Sequence, residues 1–274
     1  MSEDREVLRE VWEGKIPIRF SLDGDVGGVS EPYFLMLPRQ SYLPLALEKV
    51  RKHFSKHLES SDSELWFSCN GSTLRWHLPV GLLFDLFIQS QESPEESDPS
   101  LHLPWNLDVM SGDFPTEEII RLNSKESLET YFLSCLKEAD QIKHGGRVLS
   151  KMQKKDQNQL WQGFQNDKFD QFWPINRKLM EAQGSSEDEA SSFKHIPVRI
   201  YKGDAPMCQK LIKTQTEDKS LATLKDMILE FYPESNTDDM QVLTQGISPH
   251  MDTPLQWLSE HLSYPDNFLH ISVK

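Results

Sequence analysis

Cysteine is scarce in this 274-residue chain, with only Cys69, Cys135 and Cys208, far apart in sequence. An odd, scattered set excludes a disulfide framework and a CxxC metal pair, and it fits a reducing compartment. Positive charge is also in deficit. Lys and Arg number 29 against 43 Asp and Glu, a formal net charge of −14, which repels nucleic acid and anionic lipid at long range. No apolar run approaches the roughly 18 residues that a membrane helix needs. The opening Met1-Ser2-Glu3-Asp4-Arg5-Glu6 is charged and is not expected to act as a signal peptide. HExxH, GxSxG, GxGxxG and the Walker loop are all missing. Gly27-Gly28 is followed by neither Lys-Ser nor Lys-Thr and reads as a hairpin turn. These absences lead to an expectation of a soluble cytoplasmic protein with no cofactor, no metal and no nucleic-acid partner. Any membrane contact is expected to be peripheral.

What is present is pattern. Residues 3–12 read as a helix whose Val7, Leu8, Val11 and Trp12 share one face, expected to pack on the domain behind it. Residues 15–22, KIPIRFSL, alternate as a half-buried strand, and 32–38 form a second. Ser41 is placed to cap a helix to about Leu58, with Leu43, Leu47, Val50, Phe54 and Leu58 on its apolar face and Pro44 in its first turn. Strand 64–69, a turn at Asn70-Gly71, strand 73–77, a short buried helix 79–88 and strand 103–110 follow. This is the element order of the β-grasp fold of ubiquitin. A sheet with one apolar face needs one amphipathic helix to close its core.

The C-terminal third repeats the order: strands 195–201 and 207–213, a helix from about Leu221 to Phe231, strand 240–245, a Gly246 turn, helix 254–262 and strand 267–273. Sequence echoes support a duplication. Ile16-Pro17-Ile18-Arg19-Phe20 resembles Ile196-Pro197-Val198-Arg199-Ile200, and Pro79 and Pro254 each open the short second helix. The fold class is therefore α+β, with two ubiquitin-like β-grasp domains flanking a helix-rich one. The boundaries are a helix at 1–14, domain A at 15–112, the helix-rich domain at 113–182, an acidic linker at 183–194 and domain B at 195–274. The acidic stretches 89–101 and 182–192 read as solvated spacers.

The helix-rich middle carries a helix from about Lys125 to Ile142, a break at His144-Gly145-Gly146, and helices 148–155 and 157–180, the last kinked or ended near Pro174. Its aromatics Trp161, Phe164, Phe169, Phe172 and Trp173 read as core contacts rather than a base-stacking surface, given the acidic balance. His53 and His57 have metal-compatible spacing without a third ligand, so they read as helix surface. Cys135 lies on the apolar stripe Leu128, Phe132, Cys135, Leu136, Ala139 and Ile142, as a small core residue. Lys137 falls opposite that stripe on a wheel of 100° per residue. Ubiquitin-like modifiers end in a flexible glycine tail. This sequence finishes Ile271-Ser272-Val273-Lys274 and its Gly-Gly pairs are internal, so it is not expected to be a modifier by its own C-terminus, which leaves open that it is a target of one; exposed lysines such as Lys137 are common and ordinarily serve solubility.

The chain resembles the autophagy protein 5 family along its full length. The resemblance rests on Val7-Leu8-Arg9-Glu10-Val11-Trp12, His77 with Pro79, and Gly81-Leu82-Leu83-Phe84-Asp85-Leu86. It continues in Leu103-Pro104-Trp105-Asn106, Lys137-Glu138-Ala139-Asp140, Met152-Gln153-Lys154-Lys155-Asp156 and Phe169-Asp170-Gln171-Phe172-Trp173. The most specific stretch is residues 253–271, TPLQWLSEHLSYPDNFLHI. The resemblance implies a scaffold that is not an enzyme by itself. Its matching lysine, Lys137, would be joined by an isopeptide bond to the C-terminal glycine of ubiquitin-like autophagy protein 12. The N-terminal helix of autophagy protein 16 would bind non-covalently, expected in a groove where domains meet. The complex would act like an E3 ligase. Working with an E2-like enzyme, it would promote transfer of Atg8-family proteins onto phosphatidylethanolamine, peripherally on the phagophore (preautophagosomal) membrane, during autophagosome assembly. Two alternatives stay open: a cysteine-dependent enzyme of a ubiquitin-like pathway, and an adaptor that is never conjugated.

Overall fold

A computed structural model describes residues 2–24, 30–58, 60, 63–91, 98–180, 193–203 and 205–274. The Gly27-Gly28 turn, residues 92–97 of the 89–101 insert and the 182–192 spacer lie outside these residues. The chain divides into two compact units, Glu13–Leu128 and, discontinuously, the residues up to Trp12 with Glu129–Lys274.

In the first unit, β1 (Lys15–Leu22) and β2 (Tyr33–Pro38) pair antiparallel. A tight turn at Leu43–Ala46 leads into α2 (Leu47–Phe54). β3 (Glu64–Cys69), β4 (Ser72–Thr73), α3 (Val80–Gln89) and β5 (Trp105–Gly112) follow. The sheet order is β2-β1-β5-β3-β4, with β1 and β5 parallel at its centre. Ile16, Ile18 and Phe20 point inward and are buried with Leu43, Leu47, Val50 and Phe54 of the helix. Asn70 (φ 50°) and Gly71 (φ 78°) both take left-handed backbone, the two-residue turn that matches strand twist. Two expectations change. The Ser41 hydroxyl donates to the Pro38 carbonyl at 2.9 Å instead of capping the helix. The helix stops at Phe54, so Leu58 is only half-buried.

In the second unit, α1 (Ser2–Glu13) belongs with the helices although the first sheet follows it in sequence. Trp12 packs edge-on to Phe169 at 5.8 Å and tilted on Phe172 at 4.9 Å. Arg9 bonds Asp170 at 2.6 Å. α4 (Lys125–His144), α5 (Lys154–Gln165) and α6 (Phe169–Met180) form the helical part. The break near Pro174 does not occur. α6 runs through it with Pro174 exposed, and the chain reverses earlier, at Asn166–Lys168, where Asp167 takes φ 54°. Close packing of the hairpin fixes that point. A Cβ on Gly163 would stand 2.7 Å from the Phe172 backbone nitrogen.

The second sheet comprises β6 (Ile196–Lys202), β7 (Cys208–Ile212), β8 (Val242–Leu243) and β9 (Leu269–Val273), in the order β7-β6-β9-β8, covered by α7 (Leu224–Phe231) and α8 (Leu255–Leu262). α7 starts at Leu224, not Leu221, because Thr223 and Asp226 form a reciprocal cap. Leu221 is consequently exposed. The two copies agree in register. Ile18 pairs Trp105 and Leu35, while Val198 pairs Leu269 and Lys210. That sets Ile16 against Ile196 and Arg19 against Arg199, as the sequence echo requires. Gln245-Gly246 repeats the Asn70-Gly71 turn (φ 55° and 78°). The Tyr42–Pro79 bridge recurs as Thr223–Pro254.

Candidate functional site

Helix α4 presents three faces. Phe132 stacks on Phe164 at 4.7 Å and lies 5.6 Å from Trp161, which ties one face to α5. Cys135, Ala139 and Ile142 pack with Phe268 at the edge of the second sheet. Lys137 stands on the remaining face, exposed, as the wheel predicts.

The next residue anchors that turn of helix. Glu138 Oε2 accepts from Arg199 Nη2 at 2.9 Å and Oε1 accepts from Gln209 Nε2 at 2.8 Å. Arg199 Nε closes the ring by donating to Gln209 Oε1 at 2.9 Å. The Arg199 guanidinium lies 3.6 Å over the Phe268 ring. Burial opposes its charge, but Asp266, Cys135, Tyr201 and Glu138 together outweigh that and raise the guanidinium above its ordinary value. Charge-assisted bonds of this kind fix geometry as well as adding energy. The backbone at Lys137 is thus held by β6 and β7.

Beneath the ring lies a buried polar chain. His270 Nε2 donates to Asp266 at 2.9 Å, so Nδ1 accepts from the Tyr201 hydroxyl at 2.9 Å. Burial works against the Asp266 charge. His270, Arg199 and the Phe268 amide overcome it and hold the carboxyl below its usual range. Asn267 donates to Asn176 of α6 at 2.8 Å. Asp266, Asn267, Phe268 and His270 all lie in the 253–271 stretch, and the Asn267–Asn176 bond ties it to α6.

Two lysines of α4 divide access from reactivity. Lys143 is 1% exposed, and burial drives its ammonium down to about 7. It sits over Phe193 at 4.7 Å and donates to Met180 Sδ at 3.3 Å, sealed from a macromolecular reagent. Lys137 has the access. Among the cysteines, burial pushes Cys135 up to about 11 and raises Cys69, the reverse of nucleophile activation. Cys208 is exposed in β7. His53 bonds the Glu31 carbonyl at 2.8 Å and stacks on Tyr33, and His57 falls beyond the helix end. Among the described residues no cluster of three metal-ligating side chains occurs. No described helix is long and apolar enough to cross a membrane. Trp161, Phe164, Phe169 and Phe172 are buried, with Trp173 stacked on Phe169, as core contacts.

The Arg199–Glu138–Gln209 ring escaped the reading of sequence. The reading of 195–201 as a strand did not single out Arg199, which is 8% exposed. The available signal was the near-continuous burial-prone character of residues 196–201 and 267–273, which marks strands covered on both faces.

Residues 11–111 match the family model described as Autophagy protein ATG5, UblA domain. Residues 125–182 match its alpha-helical bundle region and 195–273 its UblB domain. Autophagy protein 5 of Drosophila melanogaster is 49% identical over 278 residues, covering 100% of this chain and 98% of the relative. Autophagy-related protein 5 of Caenorhabditis elegans is 32% identical over 283 residues, covering 98% and 97%. The crystal structure of Kluyveromyces marxianus Atg5 matches with a TM-score of 0.80 at 20% identity, covering 98% of this chain and 100% of that one. That last likeness concerns the fold.

Proposed function

Because the chain belongs to the autophagy protein 5 family, we propose that it is a scaffold conjugated through Lys137 to the C-terminal glycine of autophagy protein 12. With autophagy protein 16 bound non-covalently through a helix, the conjugate acts as an E3-like complex. It promotes transfer of Atg8-family proteins onto phosphatidylethanolamine and works in the cytoplasm and peripherally on the phagophore membrane. The observation carrying this reading is an exposed amine, Lys137, on a helix turn held by Glu138.

The chemistry asked of the chain is one aminolysis. The deprotonated Lys137 amine attacks the thioester carbonyl between the modifier's C-terminal glycine and the cysteine of an E2-like enzyme. The C–N bond forms, the C–S bond breaks, the thiolate leaves, and the amine proton passes to solvent. The product is a neutral amide. No further group of this chain is consumed, which accords with the thiols of Cys69 and Cys135 that burial deactivates. A clamped helix lowers the orientational cost of presenting the amine.

Lys137→Arg keeps charge and helix propensity but cannot form the amide. Expressed in cells, it is expected to abolish the mass-shifted conjugate and the lipidation that depends on it. A conjugate formed at normal yield would refute Lys137 as the acceptor. A wild-type protein of unmodified mass would instead favour an unconjugated adaptor. Loss of function on alkylating the native protein would favour a cysteine enzyme.

A further inference from the structure

The net negative charge conceals a local reversal. The chain carries −14 overall, yet residues 49–57, KVRKHFSKH, hold Lys49, Arg51, Lys52 and Lys56 and no acid. Helix α2 buries Leu47, Val50 and Phe54 and turns Lys49 and Lys52 to solvent, with Lys56 exposed in the turn that follows. Cations in a last helical turn offset the macrodipole, which accounts for Lys52. Lys49 is the third residue of α2, where that dipole gives a cation no benefit, so helix stability does not explain it. Among the described residues no ion pair occupies Lys49, Lys52 or Lys56. Two clefts flank this ridge and share Glu48. One, of about 410 Å³, lies between the start of α2 and residues 122–128, with Leu45, Leu47, Leu122 and Leu128 in its wall. The other, of about 500 Å³, is lined by Lys49, Lys52 and Leu58. Both lie wholly within the first unit.

We infer that this trough beside α2 is a docking site for a short linear peptide of a partner protein, one that carries a large apolar side chain next to an acidic run. The apolar side chain enters the leucine-walled cleft, and the carboxylates lie over Lys49, Lys52 and Lys56. Lys49 and Lys52 are two and five residues past Leu47, about 3 and 8 Å along the helix. An extended peptide rises about 3.3 Å per residue, so its acids lie within about three residues of the anchor. Charge and scale together select a peptide over an anionic bilayer. A bilayer is wide enough to meet the acidic remainder of the chain as well as the ridge. A peptide of a few residues stays within about one Debye length, roughly 8 Å at physiological salt, of the ridge alone. The inference does not rest on conjugation at Lys137 and survives or fails separately from it.

The test uses the full-length protein and two fluorescent synthetic peptides of identical composition. In the first a tryptophan is followed within about three residues by a run of aspartates. In the second the run stands about eight residues away, some 26 Å along an extended chain and past the ridge. Anisotropy titrations should show the first binding about tenfold tighter. Lys49→Glu with Lys52→Glu should abolish that preference, and Leu45→Ser should weaken the first peptide about fivefold. The lysine pair is exposed, so it decides the matter if Leu45→Ser unfolds. Equal binding of the two peptides, or a preference that survives the glutamate pair, overturns the inference. Flotation on phosphatidylserine vesicles that is lost in the glutamate pair, with no preference between the peptides, overturns it too, by showing lipid as the occupant.

Discussion

Arg19 and Arg199 occupy the same register position in two copies of one fold, yet the first is half-exposed and the second is buried. What differs is the covering. A helix on the outer face turns an ordinary solvated strand residue into a charged buttress with Glu138, Gln209 and Phe268 as partners. The same β-grasp thus serves once as a sheet with an open face and once as the middle layer of a three-layer assembly. Duplication supplies the fold, and the residues placed on the outer face decide its use.

The contrast is broken most strongly at the arginines. Arg199→Ala strands Glu138 and uncovers Phe268, and should cost about 2–3 kcal/mol by denaturant unfolding. Arg19→Ala should stay within about 0.5 kcal/mol. Equal effects would show that the covering helix contributes nothing. A somewhat smaller loss is expected when the platform beneath α4 is disturbed. Gly163→Ala drives a methyl into the α6 backbone and should cost about 1–2 kcal/mol, seen as a lowered Tm, whereas Gly71→Asn, which meets no neighbour and strains only a left-handed backbone that asparagine tolerates, should cost less.

A third experiment sharpens the comparison through pH. Lys143 supports the covered sheet and carries no charge above about 7 when folded, whereas the unfolded side chain keeps its proton to about 10.4. The unfolded state therefore binds more protons between those values, and this group makes stability rise with pH across that window, by up to about 1.4 kcal/mol per pH unit. Lys143→Met should flatten the alkaline side of the stability profile. A wild-type profile already flat from pH 7 to 10 would mean that Lys143 keeps its charge when folded.

Much of this was legible beforehand. The alternation of KIPIRFSL gave β1 its bounds, and the Ile-Pro-x-Arg echo proved true in register. The exposure of Lys137 followed from helical periodicity alone. What escaped depended on contacts remote in sequence. The side chain of Ser41 found the Pro38 carbonyl, and Thr223 was a better cap than any residue before Leu221. Pro174 ended no helix, because the chain reverses earlier, at Asn166–Lys168, and α6 runs through it. The burial of Arg199 escaped because alternation reports one strand, while its partner Glu138 lies on a helix some 60 residues away (|i−j| = 61).

The smallest effect on stability is expected at Lys137, whose side chain is exposed, and there the functional effect is expected to be complete. Peptide mapping by mass spectrometry of the protein isolated from autophagy-competent cells reads this directly. The account predicts one branched peptide, with the modifier's C-terminal glycine on the Lys137 amine. Branching at a different lysine, or a full set of unbranched peptides through Lys137, would contradict it.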